Sequence, residues 1–253
     1  MADDEEDVER IDDISQGKNA DPSNVIQAAM PQAILSKYEV FSYRNAANIL
    51  KNSFPEHFSE IIAALGTLSI TKTQIRTPGG SKSQIAKYVD TLFREDWRET
   101  RIAADLQVKL MPPKGDMVFS SYTREGFLDG HRIDFVKGRV ALDLEWNSKD
   151  QTFDRDLYAF NAFAQCGVVD AAILVTRSRS LDDVFRSVGP ALKKDGTPEL
   201  KRNGEERPTM DKYGASTTWM GKLLYRLNAG RNGGCPVLAI GITPNCVSDW
   251  SAE

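Results

Sequence analysis

Histidine is scarce in this 253-residue chain, which holds only His57 and His131. That leaves little for a zinc site, which draws on clustered His and Cys ligands. It also argues against a serine or cysteine triad, although one histidine would serve such a triad. Cysteine is nearly as rare. Cys166, Cys235 and Cys246 are odd in number, widely spaced and form no CxxC pair, so they read as reduced structural thiols. No run approaches the ~20 apolar residues of a membrane helix. The opening MADDEEDVERIDD is acidic and polar, unlike a signal or transit peptide. A cytoplasmic protein without a membrane partner is therefore expected. No internal repeat is visible.

What is present is ordinary in amount and uneven in place. Hydrophobic residues make up 41% and charged residues 27%, the range of a globular protein with one substantial core. The net charge is −4, yet residues 1–13 hold eight acids and one base. The remaining 240 residues hold 28 acids and 31 bases, a mildly basic body behind an acidic tail. The predicted partition is a disordered tail over 1–22 and a single domain over 23–253, with a loop excursion at 189–213.

Periodicity and punctuation predict an α/β chain with a mixed sheet. Helices are expected at Asn24–Leu35, Asn45–Lys51 and Pro55–Leu65, Pro55 suiting a first helical turn. Tyr38–Tyr43 and Leu68–Ile75 read as strands, Thr77–Ser81 as a loop and Ser83–Arg94 as a helix. Residues 101–128 show no clear period. Arg132–Phe135 and Arg139–Trp146 predict a hairpin turning at Lys137-Gly138. A helix over Phe153–Cys166 stops at Gly167, and a buried strand follows at Val169–Thr176. A short helix is expected near Ser180–Ser187, then one capped by Ser216 or Thr217 and running to Asn228. Val237–Ile242 reads as a last buried strand.

The chemistry concentrates in the hairpin. Side chains alternate along a strand, so Asp143 and Glu145 share one face while Leu142, Leu144 and Trp146 share the other. With the turn at Lys137-Gly138, Asp134 falls opposite Ala141 and diagonal to Asp143, at roughly 7–8 Å, on the same face. Three gathered carboxylates repel one another unless a cation joins them. All-oxygen donors suit Mg²⁺. Acids on the wet face of an edge strand would give the same spacing, so two readings stand on spacing alone.

The segment Asp134-Phe-Val-Lys-Gly-Arg-Val-Ala-Leu-Asp143-Leu-Glu145 resembles the BglII/BstYI group of type II restriction endonucleases, and more distantly BamHI. The pattern is an Asp, eight residues, then acid-x-Gln or acid-x-Glu. The likeness extends to Tyr38-Glu-Val-Phe-Ser-Tyr43, Phe54-Pro-Glu-His-Phe58, Asp96-Trp-Arg-Glu99, Phe153-Asp-Arg-Asp-Leu157, Val169-Asp-Ala-Ala-Ile-Leu-Val175 and Val237-Leu-Ala-Ile-Gly-Ile-Thr-Pro244, covering roughly 37–245. Asp143 departs from the usual Glu, and Glu145 stands where the wider superfamily has a lysine. The resemblance implies a PD-(D/E)xK restriction-endonuclease-like fold, with a mixed central sheet flanked by helices. It implies Mg²⁺, with Mn²⁺ as a substitute, on Asp134, Asp143 and the Leu144 carbonyl, with Glu99 as an outer residue. Glu145 would orient or deprotonate the attacking water.

The substrate implied is double-stranded DNA, cut by a homodimer to leave 5′-phosphate ends. A GATC-centred palindrome is suggested by the resemblance to that group, and a cognate methyltransferase is implied as a functional companion only. Ser216, Thr217 and Thr218 become candidate base contacts, although hydroxyls meet any base pair and could equally be a capping cluster. Lys212, Lys222 and Lys149 become candidate phosphate contacts. Ser81, Lys82 and Ser83, after a Gly-Gly turn, could meet a phosphate at a helix start or merely cap it. His131 reads as structural. The acidic tail reads as solvated, or else as a DNA mimic whose removal tightens binding to random DNA. A repair or nicking nuclease of the same superfamily, and a non-catalytic DNA-binding module, are the alternatives.

Overall fold

The computed structural model describes residues 17–78, 82–93 and 95–251. Six strands form one sheet: β1 (Tyr38–Tyr43), β2 (Arg98–Leu110), β3 (Ser120–Lys137), β4 (Val140–Glu145), β5 (Ala171–Arg177) and β6 (Val237–Ile242). Their spatial order is β1-β6-β5-β4-β3-β2. β4, β5 and β6 run parallel, while β1, β3 and β2 pair antiparallel. Every residue of β4, β5 and β6 is buried, which explains their almost unbroken apolar sequences.

Each face of the sheet carries its own core. Leu142, Ile173 and Ile240 point to one face, where α6 (Gln84–Asp90) contributes Ile85 and Val89. Ala141, Ala172 and Ala239 point to the other, and these small residues leave room for two helices. There α7 (Thr152–Gln165) buries Phe153, Leu157, Phe160 and Phe163, and α9 (Met220–Asn228) buries Leu223, Leu224 and Leu227. Those positions recur three and four apart, so each helix presents one apolar stripe. Full burial of one such side chain contributes about 1.5–3 kcal/mol.

Several expectations are corrected. Leu68–Ile75 is not a strand. Thr71 accepts from the Gln74 backbone N–H while the Gln74 side chain accepts from the Thr71 N–H, and this capping box starts a helix at Lys72–Arg76. The helix expected at Asn24–Leu35 splits at Pro31 into Ser23–Ala29 and Gln32–Leu35. Residues 101–128 belong to the β2–β3 ribbon, whose outer part is exposed on both faces and therefore shows no period. The 189–213 excursion is organised by the bridges Pro190 to Pro208 and Leu200 to Glu206. Of the tail expected over 1–22, residues 1–16 lie outside the described residues. Residues 17–22 are anchored: the Asp21 carboxylate accepts from Ser42 Oγ (2.5 Å) and the Asn45 N–H (2.8 Å).

α9 starts later than expected, with Trp219 rather than Ser216 or Thr217 at its N-cap. Trp219 lies over Gly221, where an added Cβ would stand 2.1 Å from the indole. Gly221→Ala is therefore expected to cost about 1–3 kcal/mol of stability through overpacking, read as a lower denaturant midpoint. An unchanged midpoint would show that the indole moves aside freely.

Candidate active site

The ladder between β3 and β4 pairs Phe135 with Leu142, Val136 with Ala141 and Lys137 with Val140. The two-residue turn is thus Gly138-Arg139, one position later than expected. Gly138 takes a φ of +53°, which suits glycine in such a turn. One further step sets Asp134 opposite Asp143 instead of Ala141. There the ladder changes character: the Asp134 N–H donates to Asp143 Oδ1 at 2.6 Å. Next door, Arg98 pairs with Val136 and Thr100 with Ile133, so three steps of β3 span two of β2. This bulge lies at Asp134-Phe135. Bulges re-aim side chains beside functional sites.

Asp143 and Glu145 share the α7 face, as strand alternation requires, and both are buried. Asp134 lies where the bulge interrupts that alternation, and it lines two clefts on the α6 side. One of 410 Å³ also meets Lys82, Ser83, Glu99, Leu144, Glu145, Asn147 and Ser148. The other, of 340 Å³, also meets Lys82, Asp90, Glu95, Glu99 and Trp97.

Burial raises the Asp143 carboxyl well above the usual carboxylate range, and the charges of Asp134 and Glu145 raise it further. Burial and Glu145 likewise raise Asp134. Asp143 Oδ2 is buried without a hydrogen-bond partner. A sealed, unpartnered carboxylate oxygen between two acids fits a hard divalent cation, which would satisfy that oxygen and relieve the repulsion. Among the described residues, no three His, Cys, Asp or Glu side chains already converge on one point.

Sequence reasoning missed three contributors. Arg155 on α7 donates to Glu145 Oε1 at 3.2 Å and to Asp156 Oδ1 at 2.8 Å. Asp156 is buried with Oδ2 unpartnered. Its signal was legible: it falls among Phe153, Leu157 and Phe160 on the apolar stripe. Asn147 lines the larger cleft with φ +129°, a backbone region unusual for a side-chain-bearing residue.

Burial pushes Asp156 up to about 9, aided by the charges of Asp143 and Glu145. A carboxyl raised on folding stabilises the fold fully below its unfolded value near 4, and this is lost as pH rises through its folded value. In EDTA the melting temperature should therefore fall between pH 6 and pH 9, and Asp156→Asn should flatten that fall. An equally steep decline in the variant would remove Asp156 from the explanation.

The remaining expected site residues scatter. Glu99 lines both clefts and pairs with Arg132 at 3.3 Å. Of the hydroxyls offered as base contacts, only Ser216 is exposed. Thr217 Oγ donates to the Gly214 carbonyl and accepts from Arg177, and buried Thr218 accepts from the Asn147 N–H. Lys222 is buried against Asp150, and Lys212 is held by Glu199, so both ammonium groups are engaged within the fold. Lys149 is exposed. Ser83 is spent capping α6, accepting from the Ala86 N–H, and Ser81 lies outside the described residues. His131 packs on Tyr158, ring centroids 4.7 Å apart.

Among the described residues no helix is long and apolar enough to cross a membrane. No curated protein matches the chain. Residues 38–242 match the family described as restriction endonuclease BglII/BglIII, a span that runs from the first residue of β1 to the last of β6 and contains the whole carboxylate site. The fold is the mixed, helix-flanked sheet expected of that group, and the chain belongs to the BglII/BglIII family of restriction endonucleases.

Proposed function

We propose that this chain is a type II enzyme that hydrolyses double-stranded DNA at a specific sequence, with Asp134, Asp143 and Glu145 as its catalytic carboxylates. The observation that carries this is Asp143: buried, short of one hydrogen-bond partner, and crowded by the charges of Asp134 and Glu145, which line an open cleft, in a chain of a nuclease family. Asp134 and Asp143 would hold Mg²⁺ or Mn²⁺, with the Leu144 carbonyl and Glu99 as further candidates. The bound ion would supply charge to the reacting phosphate and an acidified water.

The chain's own groups do the rest. Glu145, steadied by Arg155, orients the attacking water and takes its proton. The water oxygen bonds to phosphorus, the bond to O3′ breaks, and solvent protonates the leaving oxygen. The products are a 5′-phosphate and a 3′-hydroxyl. Exposed Lys149 and Ser216 stand on the segments that flank the site and are offered as DNA contacts, the first to phosphate and the second to a base. A palindromic target, with GATC at its centre as the working choice, needs two sites related by a two-fold axis. The resemblance to the group suggests α7 as the dimer element, and Tyr158 on it is exposed. A methyltransferase would protect the host sequence without binding this chain.

Digesting a sequenced viral genome with Mg²⁺ and mapping the fragment ends tests the reading. Discrete fragments with 5′-phosphate ends are expected. Nicks or smears would instead favour a repair or nicking enzyme. No cleavage of many DNAs with Mg²⁺ or Mn²⁺ would leave a binding module.

A further inference from the structure

The two clefts beside Asp134 are acidic. Glu99, Asp134 and Glu145 line the larger, and Asp90, Glu95, Glu99 and Asp134 the smaller. A phosphodiester carries a negative charge and gains more as water adds to phosphorus, so entry into such a cleft needs fixed positive charge close by. Among the described lining residues of either cleft, one cation occurs, and it is the same in both: Lys82. It lies outside the hairpin that carries the acids, just ahead of α6. α6 has only seven residues and Ser83 already caps it by accepting from the Ala86 N–H, so the helix start is not what would draw a phosphate here.

We propose that Lys82 is a catalytic cation that contacts the scissile phosphate. This rests on the nuclease reading above and goes beyond it, since the acid-x-Glu strand itself brings no lysine. One further observation agrees: the present partner of Lys82 is replaceable. Lys82 Nζ lies 2.5 Å from Asp90 Oδ2, with the two side chains 48% and 40% exposed, and such wet ion pairs contribute little and exchange readily. A bound phosphate at the cleft mouth offers a stronger, charge-assisted partner.

The test uses the full chain and the cut position found by mapping. Single-turnover cleavage is measured with Mg²⁺ for wild type, Lys82→Ala and Lys82→Arg. Binding is measured in EDTA to an ordinary duplex and to one bearing a neutral methylphosphonate at the cut position. Lys82→Ala should cut about 100-fold more slowly, the cost typical of one electrostatic donor. Lys82→Arg should recover to within about tenfold, because it keeps the charge. The alanine variant should bind the ordinary duplex less well than wild type and the methylphosphonate duplex equally well.

Lys82→Ala cutting within about threefold of wild type would overturn the inference, as would an equal binding deficit on both duplexes. A lowered melting temperature that arginine does not restore would assign Lys82 to folding and overturn it too. If Glu145→Ala is dead while Lys82→Ala is fully active, this inference alone fails. A wild-type chain that cuts no DNA sinks the nuclease reading and this one with it.

Discussion

Asp143→Asn should lower the single-turnover cleavage rate by about a thousandfold, within the range for loss of a catalytic acid–base or electrostatic group. The same substitution should raise the stability of the metal-free protein. Both effects have one origin. Asp143 is 4% exposed, its Oδ2 has no partner, and Asp134 and Glu145 crowd it with like charge. Asparagine keeps an oxygen to accept from the Asp134 N–H and removes the repelling charge. Asp134→Ala and Glu145→Ala should lose cleavage to a similar extent while DNA affinity in EDTA holds within about tenfold, because phosphate contacts elsewhere supply most of it. Rapid-quench cleavage and denaturant titration in EDTA read the two quantities separately. Unchanged cleavage in Asp134→Ala or Glu145→Ala would remove the carboxylates from the mechanism. A less stable Asp143→Asn would show that the charge is already compensated.

The second large effect lies at Arg177, the last residue of β5. Its guanidinium is buried, pressed down to about 10 by that burial, and bonded in three directions. It donates to the Tyr213 carbonyl and Thr217 Oγ, each at 3.0 Å, and pairs with Asp182 at 3.3 Å. Phe185 and Tyr213, stacked with centroids 3.9 Å apart, both lie beneath it. Arg177→Ala removes an ion-pair partner of Asp182 and the donor to the Tyr213 carbonyl, and should cost about 3–5 kcal/mol. Lysine should recover little, since one ammonium cannot reproduce a planar fork. The segment from Gly214 to Trp219 hangs on this contact and packs against Asn147 and Ser148 through Thr218, so the variant should also cut less selectively. A midpoint shift equivalent to under about 1 kcal/mol would show that the segment is held by other means.

Much of the scaffold was legible because burial writes itself into sequence. β4, β5 and β6 are buried on both faces and read as apolar runs, and α7 and α9 read as stripes. Strand parity gave the face that Asp143 and Glu145 share. The bulge at Asp134 was invisible, because an extra residue in one strand is a property of the pair and β2 had no readable period. Arg155 escaped because it reaches the site from a helix, across tertiary space, whereas Asp156 left a signal as an acid on the apolar stripe of that helix. The pairing of Lys222 with Asp150 and of Lys212 with Glu199 was not legible, because a lysine's sequence neighbours do not show the carboxylate that folding sets beside it.

The interval of eight residues between Asp134 and Asp143 now has an arithmetic. Three ladder pairs supply six residues and the Gly138-Arg139 turn supplies two. The hairpin is therefore a ruler graduated in twos. Lengthening it by one pair moves the two acids apart in sequence by two and leaves them opposed. Inserting a single residue has no such solution: every residue beyond it turns over, and Asp143 exchanges places with an apolar neighbour. Chains that build this site the same way should differ in that interval by even numbers, and an odd interval should mark a second bulge.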